Sequence, residues 1–143
     1  GDAYTLAIPI ATVIGRVGCY LSELPLGTPT LLPWGVSVDP VAAAAFPVCP
    51  GCDLPMHPTM LYEAAWLTLL AVFLWRRLDR SPYLFGEYLV LAGIGRFVDE
   101  LFRINPPLMG PFSNAQVTAL VSIAAGAALW LHFRRTPKQP ESP

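Results

Sequence analysis

The sequence predicts an all-α, polytopic membrane protein of about four transmembrane helices with a long outer loop. Three observations carry that expectation. Hydrophobic types make up 54% of the 143 residues and charged types only 13%, where a soluble domain typically carries roughly a quarter charged residues. The apolar residues gather in four runs of near-spanning length. Apart from Arg103 at the very end of the third run, the arginines and lysines outside those runs lie in alternate gaps, on one side only.

A spanning helix takes roughly 20 mostly apolar residues. The runs cover about 4–24, 59–75, 84–102 and 114–133, giving one expected transmembrane domain with an outer loop over 25–58 and a cytoplasmic tail over 134–143. Pro25, Pro82, Pro106 and Pro111 punctuate the gaps, as residues that cannot continue a helix should. Asn114, after Ser113, stands where a cap of the fourth helix belongs. No charged n-region precedes a short apolar run, so no cleavable signal peptide is expected. Gly1 reads as an internal start, and the chain as part of a longer protein. Internal repeats and Gly/Ser-rich linkers are absent, and a net charge of −1 offers no basic face for nucleic acid.

Orientation follows from the basic residues. Arg76, Arg77 and Arg80 lie between the second and third runs, and Arg134, Arg135 and Lys138 follow the fourth. The connections 25–58 and 104–113 contain neither Lys nor Arg. By the positive-inside rule the basic gaps are cytoplasmic and the bare ones face outward.

Charge also stands inside the runs. An arginine near the bilayer centre costs at least about 2.5 kcal/mol, so such residues pair within a bundle or line a polar cavity. Arg16, Cys19, Tyr20 and Glu23 follow i, i+3, i+4, i+7 spacing and share one helix face; Arg96, Asp99, Glu100 and Arg103 repeat it. At a rise of about 1.5 Å per residue, Arg16 lies roughly 12 Å and Arg96 roughly 9 Å from the outer ends of their helices. Glu63, beside Tyr62, enters from that same side. Two guanidiniums at one level beneath the outer phosphates suit a bidentate grip on a lipid phosphate. The structural alternative is local pairing, Arg96 with Glu100 and Asp99 with Arg103, each an i, i+4 pair. Arg16 has less local help, because Glu23 is two turns away.

The outer loop is rich in proline, and its length without regular structure is a common mark of function. Trp34 suits the headgroup zone. Cys49-Pro50-Gly51-Cys52, with His57 as a third candidate ligand and Cys19 as a fourth, is the one metal-like feature. A zinc site usually brings a second close-spaced pair, so a disulfide or two free thiols is the expected state, and no metal. His57 suits a general base, a hydrogen-bond donor or a cap of the second helix, and nearby Glu63 suits the first. His132 is expected at the cytoplasmic interface.

Taken together, the motifs resemble a family. Gly15-Arg16-Val17-Gly18-Cys19-Tyr20-Leu21-Ser22, with Gly27 at the closing glycine, resembles the signature segment of prolipoprotein diacylglyceryl transferases. Pro33-Trp34-Gly35-Val36, then His57-Pro58-Thr59-Met60-Leu61-Tyr62-Glu63, then Gly95-Arg96-Phe97-Val98-Asp99-Glu100-Leu101-Phe102-Arg103 follow in that family's order, and Gln116 also fits. The resemblance implies transfer of diacylglycerol from phosphatidylglycerol to the lipobox cysteine thiol of a prolipoprotein, with glycerol phosphate leaving, on the outer face of the bacterial cytoplasmic membrane. It implies no metal, nucleotide or other cofactor. It places Arg16, Arg96, Glu100 and His57 in catalysis and Cys19, Tyr20, Gly27, Tyr62, Glu63 and Arg103 in substrate binding.

The family has about seven spans and an earlier His-Gly-Gly-Leu segment, neither of which this chain contains. Cys19 and Ser22 stand where its signature has asparagines, and Leu24 where it has glutamate. A C-terminal portion or a half-length relative is expected. Two further readings stand beside the enzyme: a lipid-binding relative or subunit without the chemistry, and a small four-helix transporter coupled through Glu63 or the Arg96 stripe.

Overall fold

The computed structural model describes residues 2–22, 27–37, 39, 54–78, 83–105 and 107–135. Four helices dominate: α1 (Asp2–Leu21), α2 (Thr59–Trp75), α3 (Leu84–Glu100) and α4 (Asn114–Arg135). Between α3 and α4 lies a short antiparallel pair, β1 (Pro107–Met109) and β2 (Phe112–Ser113), reversed at Gly110 with φ +58°. The sequence alone predicts no strand there. A ribbon this short, built around one left-handed glycine, leaves little periodicity to read.

Among the described residues two helices are long and apolar enough to cross a membrane, over Tyr4–Leu21 and Asn114–Arg134; the apolar α2 is shorter, at 17 residues. Helix α3 also has 17 residues and ends at Glu100, two residues before the expected Phe102. Its last turn tightens: the amides of Leu101, Phe102 and Arg103 each donate three residues back, to Val98, Asp99 and Glu100, at 3.0–3.2 Å.

The helices associate mainly as α1 on α2 and α3 on α4, with α2 and α3 joining the pairs. Helix α2 is apolar all round, yet it buries one stripe: Met60, Glu63, Ala64, Leu67, Leu70 and Leu74. Leu67, Leu70 and Leu74 meet Leu84 and Tyr88 of α3 in the core, and Leu6 and Val13 of α1 pack against that cluster. Outside it, Leu69 is 67% and Val121 62% exposed.

Small residues bring α3 and α4 to backbone contact. A Cβ on Gly126 would stand 2.7 Å from the Gly86 carbonyl oxygen and 2.8 Å from Leu89 Cβ. Seven residues away on each helix, a Cβ on Gly93 would stand 2.9 Å from the Ala119 carbonyl oxygen. Two glycine contacts a heptad apart hold one helix face against the other.

The described part of the loop, 27–37 and 54–58, is a strap of hydrogen-bonded turns. Val36 and Met56 exchange both backbone bonds at 2.9–3.0 Å, and Met56 is buried. The strap is tied to the end of α3 by a bridge between Gly27 and Arg103, with Thr28 N–H donating to the Phe102 carbonyl at 2.7 Å. Residues 23–26 and 40–53, with Glu23, Cys49 and Cys52, lie outside the described residues.

Because backbone, not a flexible side-chain end, faces the missing Cβ, Gly126→Ala is expected to cost about 1–3 kcal/mol. Unfolding in a detergent titration would show this as a lower midpoint; an unchanged midpoint would mean that the α3–α4 crossing is looser than described.

Candidate functional site

The end of α1, the start of α2 and the end of α3 converge beside the strap, and each contributes charge. Arg16 Nη2 donates to Glu63 Oε1 at 3.1 Å, while its Nε lies 2.8 Å from Glu63 Oε2 as a charge contact without hydrogen-bond alignment. Arg96 Nη1 donates to the same Oε2 at 3.4 Å and to Asp99 at 3.3 Å, and Arg96 Nη2 stands 3.1 Å from Glu100 Oε2. One carboxylate on α2 therefore bridges guanidiniums from two other helices. The carboxylates are buried, and the arginine side chains keep 24% and 26% of their surface exposed.

Glu100 is held from a second direction. Ser113 Oγ donates to its Oε1 at 2.7 Å, and Asn105 Nδ2 donates to the same oxygen. Ser113 also accepts the Gln116 N–H at 3.3 Å, and Gln116 Oε1 accepts the Ser113 N–H at 3.0 Å. This reciprocal pair is a capping box at the start of α4. The cap expected at Asn114 thus belongs to Ser113, whose hydroxyl both ends a helix and orients a carboxylate.

The pairing differs from the expected local one in two respects. Arg96–Glu100 forms, but Arg103 leans toward Glu100, 3.9 Å away, rather than Asp99, which turns to Arg96. Arg16 finds its partner 47 residues away in Glu63, a contact no local spacing signals. Arg103 Nη1 and Asp99 Oδ1 are buried without a hydrogen-bond partner among the described residues, so the cluster retains unused donor and acceptor capacity. Asp99, Asn105 and Ser113 were absent from the expected site. Asp99 shared the stripe with Arg96, but only the fold brings Asn105 and Ser113 against Glu100.

Two cavities meet at Glu63. One of about 640 Å³ is lined by Thr12, Glu63, Arg96, Glu100, Arg103 and Ser113, among others. The second, about 500 Å³ and largely apolar, is walled by Leu32, Trp34, His57, Tyr62, Trp66 and Phe102, with Glu63 and Asp99 on its boundary. His57 does not cap α2: Pro58 occupies the cap position without a side-chain bond. Its ring meets Tyr62 Oη at 3.0 Å instead, and Tyr62 accepts the Trp34 indole N–H at 2.9 Å.

Gly27 lies where strap and helices touch. A Cβ there would stand 2.3 Å from the Phe102 carbonyl oxygen and 2.6 Å from Thr59 Cγ2. Cys19 is a half-buried free thiol and Tyr20 is likewise half-buried. Neither joins the hydrogen bonds of the cluster among the described residues.

Breaking a buried ion pair leaves its partner uncompensated. Glu63→Ala removes the one carboxylate that holds Arg16 among the described residues, and is expected to destabilise by roughly 2–4 kcal/mol, less than a fully buried pair because the arginines stay partly exposed. Glu63→Gln keeps the shape and should cost less. Unfolding midpoints of the two variants would check the order, and a reversed order would remove charge pairing as the cause.

The family pattern described as prolipoprotein diacylglyceryl transferase matches residues 1–132. Relatives named phosphatidylglycerol–prolipoprotein diacylglyceryl transferase include one from Fervidobacterium nodosum, 35% identical over 138 residues, covering 92% of this chain and 46% of that protein. One from Clostridioides difficile is 31% identical over 140 residues, covering 96% and 51%. One from Bifidobacterium longum is 34% identical over 157 aligned residues, covering 99% and 50%. The chain spans about half the length of the curated relatives it matches. With a family match over most of its length, the chain belongs to the prolipoprotein diacylglyceryl transferase family.

Proposed function

We propose that this chain supplies the phosphate-binding part of an enzyme that transfers diacylglycerol from phosphatidylglycerol to the lipobox cysteine thiol of a prolipoprotein. The observation that carries the reading is the convergence of Arg16 and Arg96, from two helices, on the single carboxylate of Glu63. A site that holds two guanidiniums around one oxyanion is shaped for a phosphate. The relatives are named for phosphatidylglycerol, a phospholipid whose phosphate carries that charge.

In the proposed reaction the cysteine sulfur forms a bond to the terminal glyceryl carbon of the diacylglycerol. The bond from that carbon to the phosphate oxygen breaks, its electron pair stays on the phosphate, and glycerol phosphate leaves. The thiol proton passes to a base, since thiolate is the nucleophile. Negative charge therefore grows on the phosphate, where Arg16 and Arg96 act as catalytic residues by stabilising it. Arg103 supplies further positive charge, and Glu100, gripped by Ser113 and Asn105, orients Arg96. Glu63 stands where the two cavities meet, Tyr62 walls the apolar one, Gly27 lets the strap close beside them, and Cys19 and Tyr20 are assigned to substrate binding in this reading.

The reading extends to a membrane setting. All four helices cross the bacterial cytoplasmic membrane, with the basic ends of α2 and α4 cytoplasmic and the arginine cluster just beneath the outer-leaflet phosphates. The exposed apolar side chains of α1, α2 and α4 support it, because a surface of that character is stable against lipid rather than water.

The test is reconstitution of the chain, alone and together with the N-terminal half of a full-length relative, in phosphatidylglycerol vesicles with a lipobox peptide. Mass spectrometry is expected to show a diacylglyceryl adduct on the peptide cysteine. Arg16→Ala and Arg96→Ala should each lower the rate by about 10²–10³. Absence of adduct from folded protein in both preparations would reject the transferase. Phosphatidylglycerol binding that persists and needs both arginines would then leave the lipid-binding alternative.

A further inference from the structure

The chain of contacts Trp34–Tyr62–His57 assigns a proton. The indole Nε1 of Trp34 is a donor only, so Tyr62 Oη accepts at 2.9 Å. Having accepted there, the hydroxyl has its own hydrogen to give, and His57 Nδ1 at 3.0 Å is its acceptor among the described residues. Accepting that hydrogen requires a bare Nδ1. A neutral imidazole with a bare Nδ1 carries its hydrogen on Nε2. The reverse arrangement would make Oη accept two N–H groups and leave the phenolic hydrogen without an acceptor among the described residues.

The ring is also held in place. Phe102 packs against it at a centroid distance of 5.3 Å and Tyr62 meets it edge-on at 5.9 Å. Its backbone is pinned on both sides: His57 N–H donates to Thr28, and its carbonyl accepts from Gly27 and Thr59, all at 2.8–3.0 Å. His57 lines the apolar cavity that shares Glu63 with the arginine cluster. With Nδ1 turned to Tyr62, the ring's remaining polar group is Nε2–H.

We propose that Trp34 and Tyr62 are positioning residues that fix His57 as the Nε2–H tautomer, and that His57 meets the glycerolipid as a hydrogen-bond donor to a glyceryl or ester oxygen, not as the base for the thiol. This rests on the transferase reading for the identity of the lipid. The tautomer itself rests only on the hydrogen-bond chain. A base needs a free lone pair, and the one on Nδ1 is taken.

The chain has two histidines, His57 and His132, so nitrogen-15 spectra of the labelled protein in lipid nanodiscs, with a His132→Asn control, resolve His57 directly. A bare Nδ1 and a protonated Nε2 are expected, giving way to mixed tautomers in Tyr62→Phe. A protonated Nδ1 in the unaltered chain overturns the assignment. Phosphatidylglycerol added to phosphatidylcholine nanodiscs is expected to move the Nε2–H signal; no movement overturns the donor role.

In the adduct assay, His57→Gln offers an amide N–H near the Nε2 position and should stay within about tenfold of the unaltered protein, while His57→Ala falls further. If His57 were the base, Gln would fall with Ala by about 10²–10⁴, which sinks the proposal. A missing adduct in the unaltered protein would reject the transferase reading, whereas the spectra would still decide the tautomer and the lipid contact.

Discussion

The carboxylate of Glu63 is the constraint on which the rest of the arrangement depends. It is nearly buried, and it is the shared partner of guanidiniums from α1 and α3. A charge removed from water costs several kcal/mol unless partners of the right geometry return it, so the three helices have to bring their ends together. The apolar core of Leu67, Leu70, Leu74, Leu84 and Tyr88 gives cohesion along the helices, but apolar packing tolerates sliding. A carboxylate with two fixed partners does not, and it sets the level at which α1, α2 and α3 meet.

The strap solves a related problem at the same end. Its turns carry backbone N–H and C=O groups that neither helix nor sheet satisfies, and buried groups of that kind need partners. They find them in one another and in the end of α3: Gly27 on His57, Thr28 on Phe102, Val36 on Met56. Approach this close leaves no room for a side chain at Gly27. The tightened last turn of α3 presents the Phe102 carbonyl to the strap and also brings Arg103 near Glu100. Local backbone geometry and the charge cluster are therefore one construction.

Much of this was legible in the sequence, and what was not has a common physical cause. Charged residues inside apolar runs, at one depth on three runs, point to a cluster from sequence alone, because membrane burial makes such residues expensive. The helix stripe Arg96–Asp99–Glu100–Arg103 was readable for the same reason, though not its pairing, since Asp99 and Glu100 each had two arginines in reach. Arg16–Glu63 joins residues 47 apart, and Ser113 and Asn105 reach Glu100 only after the β1–β2 reversal. Local spacing carries no information about such meetings. Nor did it mark the buried face of α2, where apolar residues surround the helix and only contact with α1 and α3 selects a side.

Electroneutrality links the cluster to its proposed chemistry. Arg16, Arg96 and Arg103 face Glu63, Asp99 and Glu100, three positive groups against three negative ones. A cluster with unpaired arginines would hold an anion strongly but would be costly to keep in a low-dielectric site when empty. A balanced cluster is stable without ligand, and in the proposed reaction a lipid phosphate would enter by competing with Glu63 for the two guanidiniums. Glu100 does not yield in the same way, because Ser113 and Asn105 hold it independently of the arginines. Among the described residues one carboxylate is held by arginines alone and the other is anchored by neutral donors, and in the proposed reaction that asymmetry would give the site one exchangeable anion position. It lies where the polar and apolar cavities meet, so a phosphate there would have room for its head group on one side and an apolar wall on the other.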